Sequence, residues 1–151
     1  LGSHVKCISL LIAESDIHEE ECQEQVLELI KYMNHMLKQK VFTRVEQVDF
    51  VEQMEQLCET LFQNARNKMT QKCYESIMGR MMELQEYEKA ELWGDRFCEQ
   101  YSNLLASYTF RLKLYFETKE KDKFFEVLDQ LRASPVVVDN KTLELIRMIQ
   151  R

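Results

Sequence analysis

Only three glycines and one proline interrupt the 151 residues of this chain. Sheets and tight turns need such punctuators, whereas Glu, Lys, Gln, Leu and Met, which abound here, lose little side-chain freedom in a helix. The chain is therefore expected to be all-α. Its length fits one domain, long enough to bury about two-thirds of the surface that the unfolded chain exposes. Apolar periodicity divides it into about eight helices.

Leu1-Gly2-Ser3-His4 reads as vector-derived residue, which leaves residues 5–151 as a single α-helical interaction domain of a larger protein. Val5, Ile8, Leu11 and Ile12 at helical spacing predict a first helix over residues 5–13. Ser15 offers the next N-cap, ahead of Asp16, Glu19, Glu20 and Glu21, which suit the positive end of a helix dipole. The stripe of this second helix is Cys22, Val26, Leu29, Ile30, Met33 and Leu37, with Lys38 and Lys40 at the end that favours cations. About 22 residues at 1.5 Å each predict a length of roughly 33 Å.

Thr43 and Glu46 match a capping box, so a third helix should begin at Arg44 and end near Asn67. Val48, Val51, Met54, Cys58, Leu61, Phe62 and Ala65 form its apolar face, wide enough for a core. A short connection around Phe42 makes the two long helices an antiparallel hairpin.

Residues 71–131 read as two further hairpins offset by 34. Tyr74 falls on Tyr108, Met78 on Leu112, Met81 on Tyr115, Met82 on Phe116, Trp93 on Val127 and Phe97 on Leu131. Thr70 caps the first of these helices, whose face is Tyr74, Ile77, Met78, Met81 and Met82. After a turn at residues 85–87 comes a helix with Ala90, Trp93, Phe97 and Tyr101, which Ser102-Asn103 should stop while capping the next. That next helix is apolar on nearly its whole circumference: Leu104, Leu105, Tyr108, Phe110, Leu112, Leu114, Tyr115 and Phe116. Such a helix is buried on several sides or covered by a partner.

Lys119 to Asp122 makes a turn, and Phe124, Phe125, Val127, Leu128 and Leu131 should face back from the following helix. Ser134-Pro135 ends it, residues 136–138 form an extended tether, and Asp139 or Asn140 caps a last helix with Leu143, Ile146 and Ile149 on one face. The expected architecture is stacked antiparallel hairpins, either a helical-repeat-like array or an irregular bundle.

With this offset, residues 71–135 resemble the tetratricopeptide class of hairpin repeats, and more loosely the pentatricopeptide class. Tyr74 and Tyr108 sit at that family's first large aromatic, Ala90 at its small residue in the second helix, and Pro135 one place from its closing proline. Met78, Leu112 and Phe124 depart from it, standing where the family has small residues, and no proline follows the first unit. These larger side chains would splay the hairpins. The resemblance implies a peptide laid across inner helices that present Lys72, Glu75, Gly79 and Met82, then Ala106, Thr109, Lys113 and Phe116. Lys72, Glu75, Met82, Thr109, Lys113 and Phe116 are accordingly the expected partner-binding residues. A pentatricopeptide likeness would imply single-stranded RNA instead, which a net charge of −6 opposes.

Little in the sequence points to catalysis. His18 and Cys22, four apart, supply at most two metal ligands where zinc takes three or four. His35 lies nearly five turns beyond His18 and cannot join it. Glu19, Glu20, Glu21 and Glu24 lack the Glu-x-x-His motif of a di-metal bundle, and three glycines build no phosphate loop. No catalytic residue, metal, cofactor or small-molecule substrate is expected.

Five cysteines without any C-x-x-C read as reduced thiols packed as small hydrophobes, and no membrane span or signal peptide is visible. An intracellular location, cytoplasm or nucleus, follows as an expectation. Arg66, Lys68, Lys72 and Arg80 read as a solvated rim rather than a phosphate site. The Met78, Met81, Met82 cluster and the aromatics of residues 108–116 fill a core first and an adaptable partner groove second. The expected function is a non-catalytic protein–protein interaction or scaffold domain. The alternatives are a homodimerisation domain that assembles its parent protein, and an RNA-binding helical array.

Overall fold

The computed structural model describes residues 18–150. Among them are seven α-helices, one short 3-10 helix and no strand, so the chain is all-α as its composition predicts. The helix predicted over 5–13, the Ser15 cap and Cys7 lie outside the described residues, as does the side chain of Ile149. The chain divides into two compact units, Leu1–Leu84 and Gln85–Arg151.

In the first unit, α1 spans Glu20–Lys38, α2 Arg44–Asn64 and α3 Gln71–Glu83, with a 3-10 turn at Arg66–Lys68. α1 starts later than the sequence suggests. His18 is in a turn, and the extended Glu19 (ψ 133°) precedes the helix without a side-chain cap. The helix has 19 residues rather than about 22. Its acidic first turn is met by a cation from elsewhere in the unit, since Lys68 Nζ lies 3.0 Å from Glu20 and 3.1 Å from Glu24.

Thr43 and Glu46 form the predicted capping box. The Glu46 amide donates to Thr43 Oγ1 at 3.2 Å, and the Thr43 amide donates to Glu46 Oε1 at 2.9 Å. Phe42 stacks on Phe50 with ring centroids 5.1 Å apart, which pins the connection between α1 and α2. At the far end of α3, the guanidinium of Arg44 donates to the Leu84 carbonyl, a group the helix itself leaves unsatisfied. Thr70 caps α3 by accepting from the Cys73 amide.

All three helices pack on one another. The predicted stripe of α1 is buried throughout, and on α2 only Val48 departs, being half-buried, while Phe50 and Leu57 join the core. Val26, Ile30, Met33, Met54, Leu61, Tyr74 and Ile77 are at most 1% exposed. Each large apolar side chain so buried contributes about 1.5–3 kcal/mol.

In the second unit, α4 spans Tyr87–Gln100, α5 Leu105–Glu117, α6 Lys121–Ala133 and α7 Asn140–Gln150. α5 packs against each of the other three. Its apolar circumference is thus met by helices of its own unit. The approach of α4 to α5 is close at Gly94, where an added Cβ would stand 2.8 Å from Cε1 of Phe110.

Ser102 and Asn103 do not cap α5. The chain needs both for the turn itself, so the extended Leu104 becomes the N-cap and brings no side-chain acceptor. Phe125 is a second departure: Phe124 is fully buried, while Phe125, edge-on to it, is 38% exposed. On α7, Asp139 is the cap, its Oδ1 accepting from the Thr142 amide at 2.8 Å. Thr142 and Ile146 are buried there, but Leu143, expected on the same inward face, is exposed.

The offset of 34 recurs in the helix bounds and in the turn backbone. α3 runs from Gln71 to Glu83 and α5 from Leu105 to Glu117, so both ends of one helix fall on both ends of the other. The starts of α4 and α6, Tyr87 and Lys121, correspond under the same shift. The turn residues match as well, with Gln85 at φ 60° and Lys119 at φ 61°. So do the next residues, Glu86 (φ −85°, ψ 69°) and Glu120 (φ −92°, ψ 79°).

Candidate functional site

Burying one face of a helix fixes what the other face presents. Cys22, Val26, Ile30, Met33 and Leu37 point α1 into the first unit's core, which leaves Lys31, Asn34 and Lys38, at spacings of three and four, along one flank. Cys73, Tyr74, Ile77, Met78 and Met81 orient α3 likewise and leave Lys72, Ser76 and Arg80 in a row four apart, with Glu75 beside them. These two flanks line one groove of about 620 Å3 within the first unit.

Four of its seven lining residues are cations and one is a carboxylate, an excess that runs against the chain's net charge of −6. Lys31 is paired with Glu28 at 3.2 Å, both exposed, which contributes little. Arg80 is mostly buried and holds Glu83 at 2.9 Å through one terminal nitrogen, while its Nε is buried and donates to nothing. Glu75 already accepts from the Gln71 amide at 3.0 Å. Lys38 and Lys72 form no ion pair with any described residue. The groove therefore offers two ammonium groups that no described carboxylate holds.

Of the expected partner-binding residues, Lys72 and Glu75 share this groove. Met82 follows on the same helix, half-buried and outside the lining. Thr109, Lys113 and Phe116 belong to the second unit. There the Thr109 hydroxyl donates to the Ala106 carbonyl, Phe116 is half-buried, and Lys113 is exposed, its charge helping to hold the Asp139 carboxyl below its ordinary pKa behind the larger effect of the Thr142 hydrogen bonds. The sequence reading missed Lys31, Asn34 and Lys38, whose three-and-four spacing was a signal for a shared flank. The four cations singled out from residues 66–80 separate in space: Lys68 serves Glu20 and Glu24, Arg66 lies 4.0 Å over the Phe62 ring, and only Lys72 and Arg80 reach the groove.

The second unit carries a charged cluster of different character. Lys123 Nζ lies 3.3 Å from Glu91, 3.4 Å from Glu120 and 5.5 Å over the Tyr115 ring. Burial, then a hydrogen bond to Glu91, pushes the Tyr115 phenol well above its usual range. Desolvation and Glu91 raise the Asp95 carboxyl, opposed by Arg111 and Lys123. Arg111 itself is buried, donating to the Ser107 carbonyl and to Gln130 Oε1, each at 3.2 Å. Most charges here answer one another, so the cluster joins α4, α5 and α6 rather than awaiting a ligand.

Cys22, Cys58 and Cys73 are buried and reduced, and Cys98 is half-buried. A contact with Cys73, reinforced by burial, drives the Cys58 thiol well above its ordinary pKa, which keeps it neutral and unreactive. Among the described residues, no three His, Cys, Asp or Glu side chains gather as a metal site, and no helix is long and apolar enough to cross a membrane. No family model, curated protein or solved structure matches the chain.

Proposed function

We propose that this chain is a non-catalytic interaction domain that binds a segment of a protein partner, with the α1–α3 groove as its receiving surface. One observation carries the reading: Lys38, Lys72 and Arg80 line a single groove, and among the described residues no carboxylate pairs with Lys38 or Lys72. Helices are suited to the task, because long rigid elements hold side chains at fixed spacing at little cost on binding. The shared offset of helix bounds, α3 onto α5 and the start of α4 onto that of α6, supports the likeness to tetratricopeptide hairpins and the scaffold role that goes with it. The test is recovery of partner proteins on immobilised wild-type domain against a Lys72→Glu, Arg80→Glu variant. Loss of the same partners with an unchanged helical spectrum supports the reading, and undiminished recovery by the variant removes the groove from it.

Self-association is the second reading. Its support is on α7, where Leu143 is 39% and Met148 59% exposed. Light scattering after gel filtration at tens of micromolar decides it, since a monomer there rules out a constitutive dimer.

A further inference from the structure

Resting on the interaction reading above, we infer that the α1–α3 groove takes an extended acidic segment, a stretch of peptide with several Asp or Glu side chains. The first ground is the placement of charge. Lys31 and Lys38 are seven residues apart on α1, and Lys72 and Arg80 are eight apart on α3. At a rise of 1.5 Å per residue, each pair is separated by roughly 10–12 Å along its helix. Cations so distributed are spread along the groove rather than gathered at one point. They match carboxylates carried along a strand of chain, where alternate side chains fall about 7 Å apart.

The second ground is the kind of cation. Three of the four are lysines, point charges on flexible stems, and only Arg80 presents a planar fork. That fork already gives one nitrogen to Glu83 at 2.9 Å. A dedicated phosphate site would be expected to turn its guanidinium on the phosphate, bidentately. The third ground is Glu75, which stands in the lining and repels a continuous polyphosphate backbone. A peptide can place a neutral or basic side chain opposite Glu75 and carboxylates opposite Lys38 and Lys72. Nucleic acid has no such choice. The Ser76 hydroxyl donates to the Lys72 carbonyl and is engaged within the helix.

Fluorescence anisotropy with labelled ten-residue peptides tests this. An acidic peptide with Glu or Asp at every second position should bind, and its affinity should fall at least fivefold between 50 and 300 mM NaCl. Its Gln/Asn analogue should bind at least tenfold more weakly. Lys38→Glu with Lys72→Glu, both exposed and outside the core, should abolish acidic-peptide binding without moving the thermal midpoint. Equal affinity for the neutral analogue, or retained binding by the double variant, overturns the inference. So does groove-dependent binding of single-stranded RNA in preference to the peptide, or saturation by millimolar inorganic phosphate that displaces the peptide. If protein partners are still lost from the Lys72→Glu, Arg80→Glu variant while the acidic peptide fails to bind, the chemistry of the segment is wrong and the interaction surface stands.

Discussion

Gln85 and Lys119, 34 residues apart, hold the same left-handed backbone, φ 60° and 61°, each immediately beyond the C-cap of its helix. Both side chains are exposed, so neither is kept for a contact in a core. The position is one that glycine commonly occupies, and the chain fills it with residues that are strained there, as it does again at Lys40 (φ 57°) beyond the C-cap of α1.

Replacing either by glycine should therefore stabilise. Relief of the left-handed strain is worth about 1–2 kcal/mol, and glycine's greater freedom in the unfolded chain returns about 0.5–1 of it. Lys119→Gly and Gln85→Gly should each gain about 0.5–1 kcal/mol, seen as a rise of a few degrees in thermal midpoint. A fall in midpoint for both would show that the side chains do something the backbone does not reveal.

Gly94 presents the opposite case. A Cβ there would meet Phe110 at 2.8 and 3.0 Å, inside normal contact, within the α4–α5 packing. Alanine in mid-helix gains about 1 kcal/mol of propensity, while overpacking costs typically about 1–3 kcal/mol, so Gly94→Ala should lose about 1 kcal/mol net. In a Phe110→Ala background the clash is gone and the same change should stabilise by about 1 kcal/mol. Urea denaturation of the four proteins measures the reversal of sign, and a Gly94→Ala effect independent of Phe110 would refute the packing account.

Much of this was legible in the chain. The stripes of α1 and α2 needed only spacing, since an apolar residue every third or fourth position has one way to be buried, and Thr43-x-x-Glu46 announced a helix start that the hydrogen bonds then complete. What spacing could not show was which element supplies a charge's partner. Lys68 reaches 44 and 48 residues back to Glu24 and Glu20, and the flank of α1 meets the flank of α3 only through the three-helix packing. The apolar circumference of α5 was visible, but whether its cover came from its own unit or from another molecule was a question of topology. Ser102 and Asn103 misled because composition marks a cap without saying how many residues the turn consumes.

The two caps differ in a measurable way. Thr43→Ala removes a bonded capping box and should cost about 1 kcal/mol. Ser102→Ala and Asn103→Ala remove no cap and should stay within about 0.5 kcal/mol of the wild type. Thermal melts of the three variants separate the cases. A loss from Ser102→Ala as large as that from Thr43→Ala would return Ser102 to a capping role.

The alkaline limb of stability should be set in part by Tyr115. The side chain is 7% exposed, and burial and its hydrogen bond to Glu91 hold the phenol protonated above its ordinary range. With the folded pKa raised above an unfolded value of about 10, the native state keeps its proton while the unfolded state releases one. Stability is therefore fully present below about pH 10 and falls as pH rises beyond it, with a slope of about 1.4 kcal/mol per unit from this group. Lys68 and Lys123, also raised by their carboxylate partners, add to the fall in the same direction. Tyr115→Phe isolates the phenol. Between pH 7 and 9 it should be less stable by about 1–2 kcal/mol, the cost of the lost bond to a charged acceptor, and the deficit should shrink above pH 10 until the two proteins cross. Urea midpoints at pH 8, 10 and 11 follow it. A deficit that stays constant over that range would mean that Tyr115 ionises as readily folded as unfolded.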